Sequence, residues 1–203
     1  LIETEGIIDN VHKTYSSLDF KKLVHKTNPS YEENEDIQGK ELINYILNQL
    51  HNELNFLFKK PKQKTIKSNK VDYTSDKSVF NNFLITYGAD YHSQISDLFY
   101  GVEKETLRCE SCHLLQFKYD LFPSLTFDLE KVIEYKKSKM NKEDKDHYSD
   151  VLNIDDLLEY YYRSQLYEED DQVLCPKCNS MQNMNCKKRI FLTPNVLIFI
   201  LIL

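Results

Sequence analysis

Four cysteines form two matching pairs, Cys109-Glu110-Ser111-Cys112 and Cys175-Pro176-Lys177-Cys178, separated by residues 113–174. Two Cys-x-x-Cys turns suit a single tetrahedral metal. Each turn brings two thiolates together while its N–H groups stabilise charge on sulfur, and two turns complete the S4 coordination that zinc takes. The same spacing has other uses. Disulfides need an oxidising compartment, and no stretch resembles a secretory leader; a redox Cys-x-x-Cys belongs in a βαβ setting and needs no second copy. Structural zinc is the reading the spacing favours. The interval exceeds the roughly 15–20 residues of a common zinc ribbon, so something folded must fill it. The fifth cysteine, Cys186, precedes Lys187, Lys188 and Arg189, which would lower a thiol pKa. No histidine lies beyond His147 to act as its base, and Cys186 reads as a plain free thiol.

Composition narrows the function classes. With 41% hydrophobic residues over 203, the chain can build a real core. A net charge of -6 argues against a nucleic-acid binder, which would present a basic face to phosphates. Gly6, Gly39, Gly88 and Gly101 are the only glycines, too few and too scattered for a phosphate-cradling loop. Five cysteines without a leader predict a reducing, intracellular setting, cytoplasm or nucleus. The chain opens on Leu1 and closes within the apolar run Val196–Leu203, so an internal piece of a longer protein is expected. Eight apolar residues are too few to cross a bilayer, which takes about 20, and no membrane partner is expected. A buried central strand is the reading for that run.

Patterning supplies the elements that must position the cysteines. Leu18, Phe20, Leu23 and Val24 follow a rough helical rhythm and should face one core. The clearest helix is 37–55, where Leu42, Ile43, Ile46, Leu47, Leu50 and Leu54 repeat at helical spacing behind a plausible N-cap, Asp36. Six lysines without an acid between Lys59 and Lys70 mark a solvated loop, taken as 59–78. Apolar content resumes over 79–99 as a short helix that Gly101 should stop. Leu115, Phe117 and Tyr119, then Leu125, Phe127 and Leu129, alternate with polar residues and predict two strands around a bend at Pro123. Residues 136–149 are nearly all polar and predict an exposed insertion. Asn153 with Asp156 predicts a capping box for a helix burying Leu157, Leu158, Tyr161 and Tyr162.

The order of these pieces resembles the middle of the ubiquitin-specific protease domain, the papain-like cysteine deubiquitinases (family C19, ubiquitin carboxyl-terminal hydrolases). Ile37-Gln38-Gly39-Lys40-Glu41-Leu42 and its continuation to Leu54 is similar to the family's Q-D-A-x-E-F helix with L-x-x-L-H-x-x-L. Ile95-Ser96-Asp97-Leu98-Phe99-Tyr100-Gly101 looks like I-x-x-L-F-x-G, and Thr106-Leu107-Arg108-Cys109 like the approach to the first cysteine pair. Phe122 to Leu129 is similar to F-x-x-L-x-L-x-L, Ile154 to Leu158 to the short helix before the second pair, and Lys187 to Leu201 to K-x-x-I-x-x-L-P-x-x-L-I-I-x-L.

The resemblance implies an α+β fold of fingers, palm and thumb, with the whole of 1–203 a partial domain and fingers and palm strands over 105–130 and 170–203. It implies that Cys109, Cys112, Cys175 and Cys178 close a structural zinc ribbon at the fingertips. Four thiolates leave the metal no open position, so it would not be catalytic. The implied activity is thiol-dependent hydrolysis at the C-terminus of ubiquitin, with ubiquitin and ubiquitinated proteins as partners. The family's catalytic Cys and His boxes lie outside this stretch, so no catalytic residue is assigned and the chain alone is expected to be inactive. The alternative is a non-catalytic ubiquitin-binding or scaffold protein. Two acids of the family's helix hold the arginine-bearing tail of ubiquitin: Glu41 matches the second, whereas Gln38 stands at the first and carries no charge.

Overall fold

In a computed structural model the described residues are 18–28, 39–55, 71–88, 93–141 and 151–203. The chain divides into two compact units, Leu1–Leu42 and Ile43–Leu203. In the first, helix α1 (Leu18–Thr27) buries only Val24; Leu18, Phe20 and Leu23 are exposed, contrary to the shared core their rhythm suggested. Helix α2 (Gly39–Leu54) buries Leu47 and His51. The proposed cap Asp36 lies outside the described residues, as do residues 59–70 of the lysine-rich loop.

The second unit is α+β. Helices α3 (Asp76–Gly88) and α4 (Gln94–Phe99) lead into β1 (Gly101–Cys109), which turns back through the first cysteine pair into β2 (Leu115–Phe122). The loop expected over 59–78 therefore ends early, because α3 starts at Asp76 and the apolar stretch 79–99 holds two helices. Next come β3 (Leu125–Asp128), α5 (Leu129–Lys139), α6 (Ile154–Tyr161), β4 (Ser164–Tyr167), the short hairpin of β5 (Val173–Cys175) and β6 (Ser180–Gln182), β7 (Met184–Leu192) and β8 (Phe199–Ile202). The main sheet runs β2-β1-β7-β4, all antiparallel. Strands β3 and β8 form a separate parallel pair.

Local chemistry accounts for the helix starts. Ser93 caps α4 and Asn153 caps α6, each with a reciprocal capping box, so the box expected at Asn153 and Asp156 is present. Asp128 accepts from the N–H of Lys131 and ends β3 by starting α5. Leu129 is thus helical rather than the last residue of a strand. The insertion expected over 136–149 begins later than its polarity suggested, since residues 136–139 form the last turn of α5. Lys136 of that turn bonds Asp156 of α6 at 2.8 Å.

Among the described residues, three apolar clusters hold the second unit together. One surrounds the sulfurs with Leu107, Met184 and Cys186. Another joins Phe122, Leu125, Phe127, Val132 and Leu157. The third docks Val79 and Phe83 of α3 onto Val102 and Tyr119. Strand β8 corrects the expectation of a buried central strand. It pairs only with β3 among the described residues, and Leu201 and Ile202 are exposed. No helix among the described residues is long and apolar enough to cross a membrane.

The short helix expected to end before Gly101 is α4, which stops at Phe99 with Tyr100 as its C-cap; Gly101 itself starts β1 directly beneath the ring of its cross-strand partner Phe122. A Cβ there would lie 2.4 Å from Phe122 Cζ and 2.9 Å from the carbonyl oxygen of Leu192. The ring can swing, but the backbone oxygen cannot move without disturbing β7. Gly101→Ala should therefore cost about 1–3 kcal/mol in a urea titration. An unchanged midpoint would show that the strand yields freely at this point.

Candidate metal centre

The β1–β2 turn and the β5–β6 turn build the two cysteine knuckles in the same way. The N–H of His113 donates to the Cys109 carbonyl at 2.9 Å, and that of Asn179 to the Cys175 carbonyl at 2.8 Å. His113 and Asn179, each directly after the second cysteine of its pair, take left-handed φ values of 60° and 54°. Asn and His tolerate this region better than most residues with a side chain. The repetition matters because it gives both knuckles one shape; in the second, the N–H groups of Lys177 and Cys178 are directed at the Cys175 sulfur.

The four sulfurs converge within 4.8 Å of one another. Cys109 Sγ lies 3.9 Å from Cys178 Sγ, and Cys112 Sγ lies 3.5 Å from Cys175 Sγ. Those separations are too long for a disulfide, which needs about 2.05 Å. A tetrahedral zinc ion with bonds of about 2.3 Å would place its sulfurs roughly 3.8 Å apart, and the residues fit that group. Cys109 and Cys175 are fully buried and the other two half-buried.

Charge within the cluster points the same way. Burial pushes the Cys175 thiol up, but the N–H groups of Cys178 and Lys177 and the thiols of Cys112 and Cys109 pull it down to about 7. Cys178 moves in the opposite direction, to about 12, because its proton is shared with Cys112 and with its other sulfur neighbours and because it is buried. Holding all four as thiolates takes a cation, and the cluster could bind a metal such as zinc.

The remaining candidates are placed less closely. Glu41 lies exposed in the first turn of α2. Gln38 lies outside the described residues. Cys186 is buried, and burial first, then the neighbouring carboxylates, raise its thiol against the opposing pull of Tyr167 and Lys188. A buried thiol held in its protonated form is a poor nucleophile.

Sequence reasoning missed one buried polar constellation. His51 Nδ1 lies 2.7 Å from Ser93 Oγ, and Asn55 Nδ2 lies 3.4 Å from His51 Nε2, all three nearly inaccessible. Ser93 Oγ also accepts the Ser96 N–H that caps α4. The group ties α2 to α4, and no substrate can reach it. Its one signal in the sequence is a histidine on the apolar stripe, four residues after Leu47.

Comparison with known proteins follows the same lines. The chain is 23% identical over 183 residues to ubiquitin carboxyl-terminal hydrolase 2 of Bos taurus, covering 90% of this chain and 27% of that protein. Against ubiquitin carboxyl-terminal hydrolase 2 of Gallus gallus the figures are 22% over 183 residues, 90% of this chain and 46% of that protein. The chain thus spans less than half the length of either relative. Among solved structures, a chain of the SAGA Ubp8/Sgf11/Sus1/Sgf73 DUB module bound to ubiquitin aldehyde is similar, at 16% identity and a TM-score of 0.48, over 91% of this chain and 30% of that one. A family model described as ubiquitin carboxyl-terminal hydrolase matches residues 5–202, almost the entire chain, and this protein belongs to that family.

Proposed function

We propose that this chain is the ubiquitin-gripping part of a cysteine deubiquitinase and that Cys109, Cys112, Cys175 and Cys178 bind one structural zinc ion. The observation that carries the reading is the meeting of two like-shaped knuckles at the end of the β1–β7 pair in a chain of this family. Zinc would be held by Cys109 and Cys112 from the β1–β2 turn and by Cys175 and Cys178 from the β5–β6 turn. It would supply cross-linking and no chemistry, since four thiolates leave no place for water or substrate. Thiolate ligands of this kind suit an intracellular, reducing setting.

In this reading the main sheet and its metal-bound tip form the fingers that hold the body of ubiquitin. Glu41 offers a carboxylate to an arginine of the ubiquitin tail through a charge-assisted bond. Gln38, at the sequence position of the family's first acid, offers only a neutral amide. The reacting thiolate and its base would come from other parts of the domain, because the one thiol outside the cluster is buried Cys186.

Titrating isotope-labelled ubiquitin with the zinc-loaded chain tests the grip. Saturable shifts confined to one face of ubiquitin are expected, with no hydrolysis of a ubiquitin C-terminal fluorogenic ester or amide. Glu41→Lys should weaken binding of full-length ubiquitin but leave binding of ubiquitin lacking its tail unchanged. Absence of any shift with folded, metal-loaded chain would overturn the reading.

A further inference from the structure

The main sheet segregates its charges between its two faces. Cross-strand register defines three rows on one of them: Leu115–Arg108–Asn185–Leu166, Phe117–Thr106–Lys187–Ser164 and Tyr119–Lys104–Arg189. Alternate residues share a face, so every carboxylate of these strands, Glu103, Glu105 and Asp120, falls on the opposite side. There the acids are neutralised within the protein. Lys188 bonds Glu105 at 2.8 Å and approaches Glu103 at 3.6 Å, and Lys118 bonds Asp120 at 2.5 Å.

The first face has no such balance. Lys104 is neutralised by Asp76 of α3 at 2.6 Å, and α3 covers the Tyr119 end of the sheet. Arg108, Lys187 and Arg189 are exposed and make no ion pair among the described residues. Both guanidinium groups are nevertheless held in place. Arg108 Nη2 lies 3.1 Å from His113 Nδ1; Arg189 sits 4.8 Å over the Tyr162 ring and donates to the Tyr162 carbonyl at 3.1 Å. Leu115 and Leu166, 42% and 50% exposed, stand at the two ends of the Arg108 row.

We propose that this face, with Arg108, Lys187 and Arg189 set between Leu115 and Leu166, docks an acidic, leucine-bearing segment of a partner protein. Charge complementarity selects the partner: three exposed cations, with no carboxylate of the four strands on their face among the described residues, sit on a chain whose net charge is -6. Lys187 and Arg189, alternate residues of β7, are about 7 Å apart, which is the repeat of alternate carboxylates on an extended segment. Two pre-oriented arginines bind carboxylates at a reduced entropic cost. A nucleic acid fits less well. Leu115 and Leu166 flank the Arg108 row and have nothing to pack against on a phosphate backbone, whereas leucines of a peptide segment can cover them.

The test uses the whole zinc-loaded chain and a fluorescein-labelled synthetic peptide of alternating glutamate and leucine, read by anisotropy. Saturable binding is expected, weakened at least roughly tenfold by raising salt from about 0.05 to 0.5 M. The triple variant Arg108→Glu, Lys187→Glu, Arg189→Glu should abolish it, while Lys131→Glu on α5 should not. If the reversed variant loses metal, the triple glutamine variant replaces it and must weaken binding at least roughly tenfold. No binding by the native chain, equal binding by the variants, or equally tight binding of single-stranded DNA of the same charge would each refute the proposal.

Discussion

Cys175→Ser should empty the metal centre and unfold the tip of the sheet while the rest of the second unit stays folded. The reason is the small size of the core around the sulfurs. Apart from the four clustered cysteines it contains Leu107, Met184 and Cys186, with Leu114, Tyr167 and Val173 at its edge. Strands β5 and β6 have three residues each, and a two-stranded hairpin of that size is not stable alone. Side-chain bonds such as Gln116 Nε2 to the Leu174 carbonyl at 3.4 Å and Gln172 Nε2 to Asn183 Oδ1 at 2.7 Å are too few to replace the metal. Structural zinc contributes on the order of 10–16 kcal/mol in small zinc domains, and in such sites binding energy is folding energy. A serine hydroxyl keeps its proton at neutral pH and is a poor substitute for a buried thiolate. Metal content should fall from about one zinc per chain to below ~0.2, with rapid amide exchange over residues 109–115 and 173–182. Protection at Phe127, Val132 and Leu157 should persist, because that cluster shares no residue with the metal core. Cys186→Ser is the internal control: its thiol packs beside the centre without joining it, so metal content should be unchanged. Native chain purified under reducing conditions with far less than one zinc would rule out the site.

The parts of this molecule that could be read from sequence are those set by local spacing. Two Cys-x-x-Cys turns, the apolar stripe of α2, the Asn153 capping box and the alternation in β2 each depend on residues within a few positions of one another. What could not be read depends on neighbours distant in the chain. Strand β8 looked like a buried central strand because eight apolar residues adjoin, yet among the described residues it pairs only with β3, some seventy residues earlier, and Leu201 and Ile202 stay exposed. Helix α5 was hidden for a different reason. Leu129, Val132 and Ile133 follow helical spacing, but Leu129 also completes the alternation of β3, and the lysines after Tyr135 resemble an exposed loop. The cap at Asp128 decides between the two patterns. The polar core of His51, Ser93 and Asn55 was invisible because its members are chemically ordinary until the fold brings α2 against α4. Charge segregation on the main sheet was likewise latent in the alternation of β1 and β7, and it emerged only with the register.

The same register makes Lys188→Met the most damaging change expected away from the metal. Glu105 is 7% exposed, and Lys188 lies between its carboxylate and that of Glu103, whose other oxygen accepts the Tyr161 hydroxyl at 2.5 Å. Removing the ammonium leaves two neighbouring carboxylates in a poorly solvated site, where breaking a pair costs about 3–5 kcal/mol. For a domain of this size that corresponds to a loss of roughly 10 °C in Tm. Glu105→Gln should cost less, because Lys188 then keeps Glu103 and the amide can still accept its bond. This ordering separates charge compensation from simple packing, which would make the two variants alike. The alkaline limb supplies a second readout. Burial by itself would lower the Lys188 pKa, but the bond to Glu105 and the charges of Glu103 and Glu105 outweigh it and raise the value. A lysine raised on folding contributes stability that is fully present below its unfolded pKa of about 10.4 and is lost as pH rises through the folded one. The stability gap between native chain and Lys188→Met should therefore stay constant from neutral pH to about 10 and narrow above it. A gap that instead closes between about pH 6 and 9 would show that another group carries the effect.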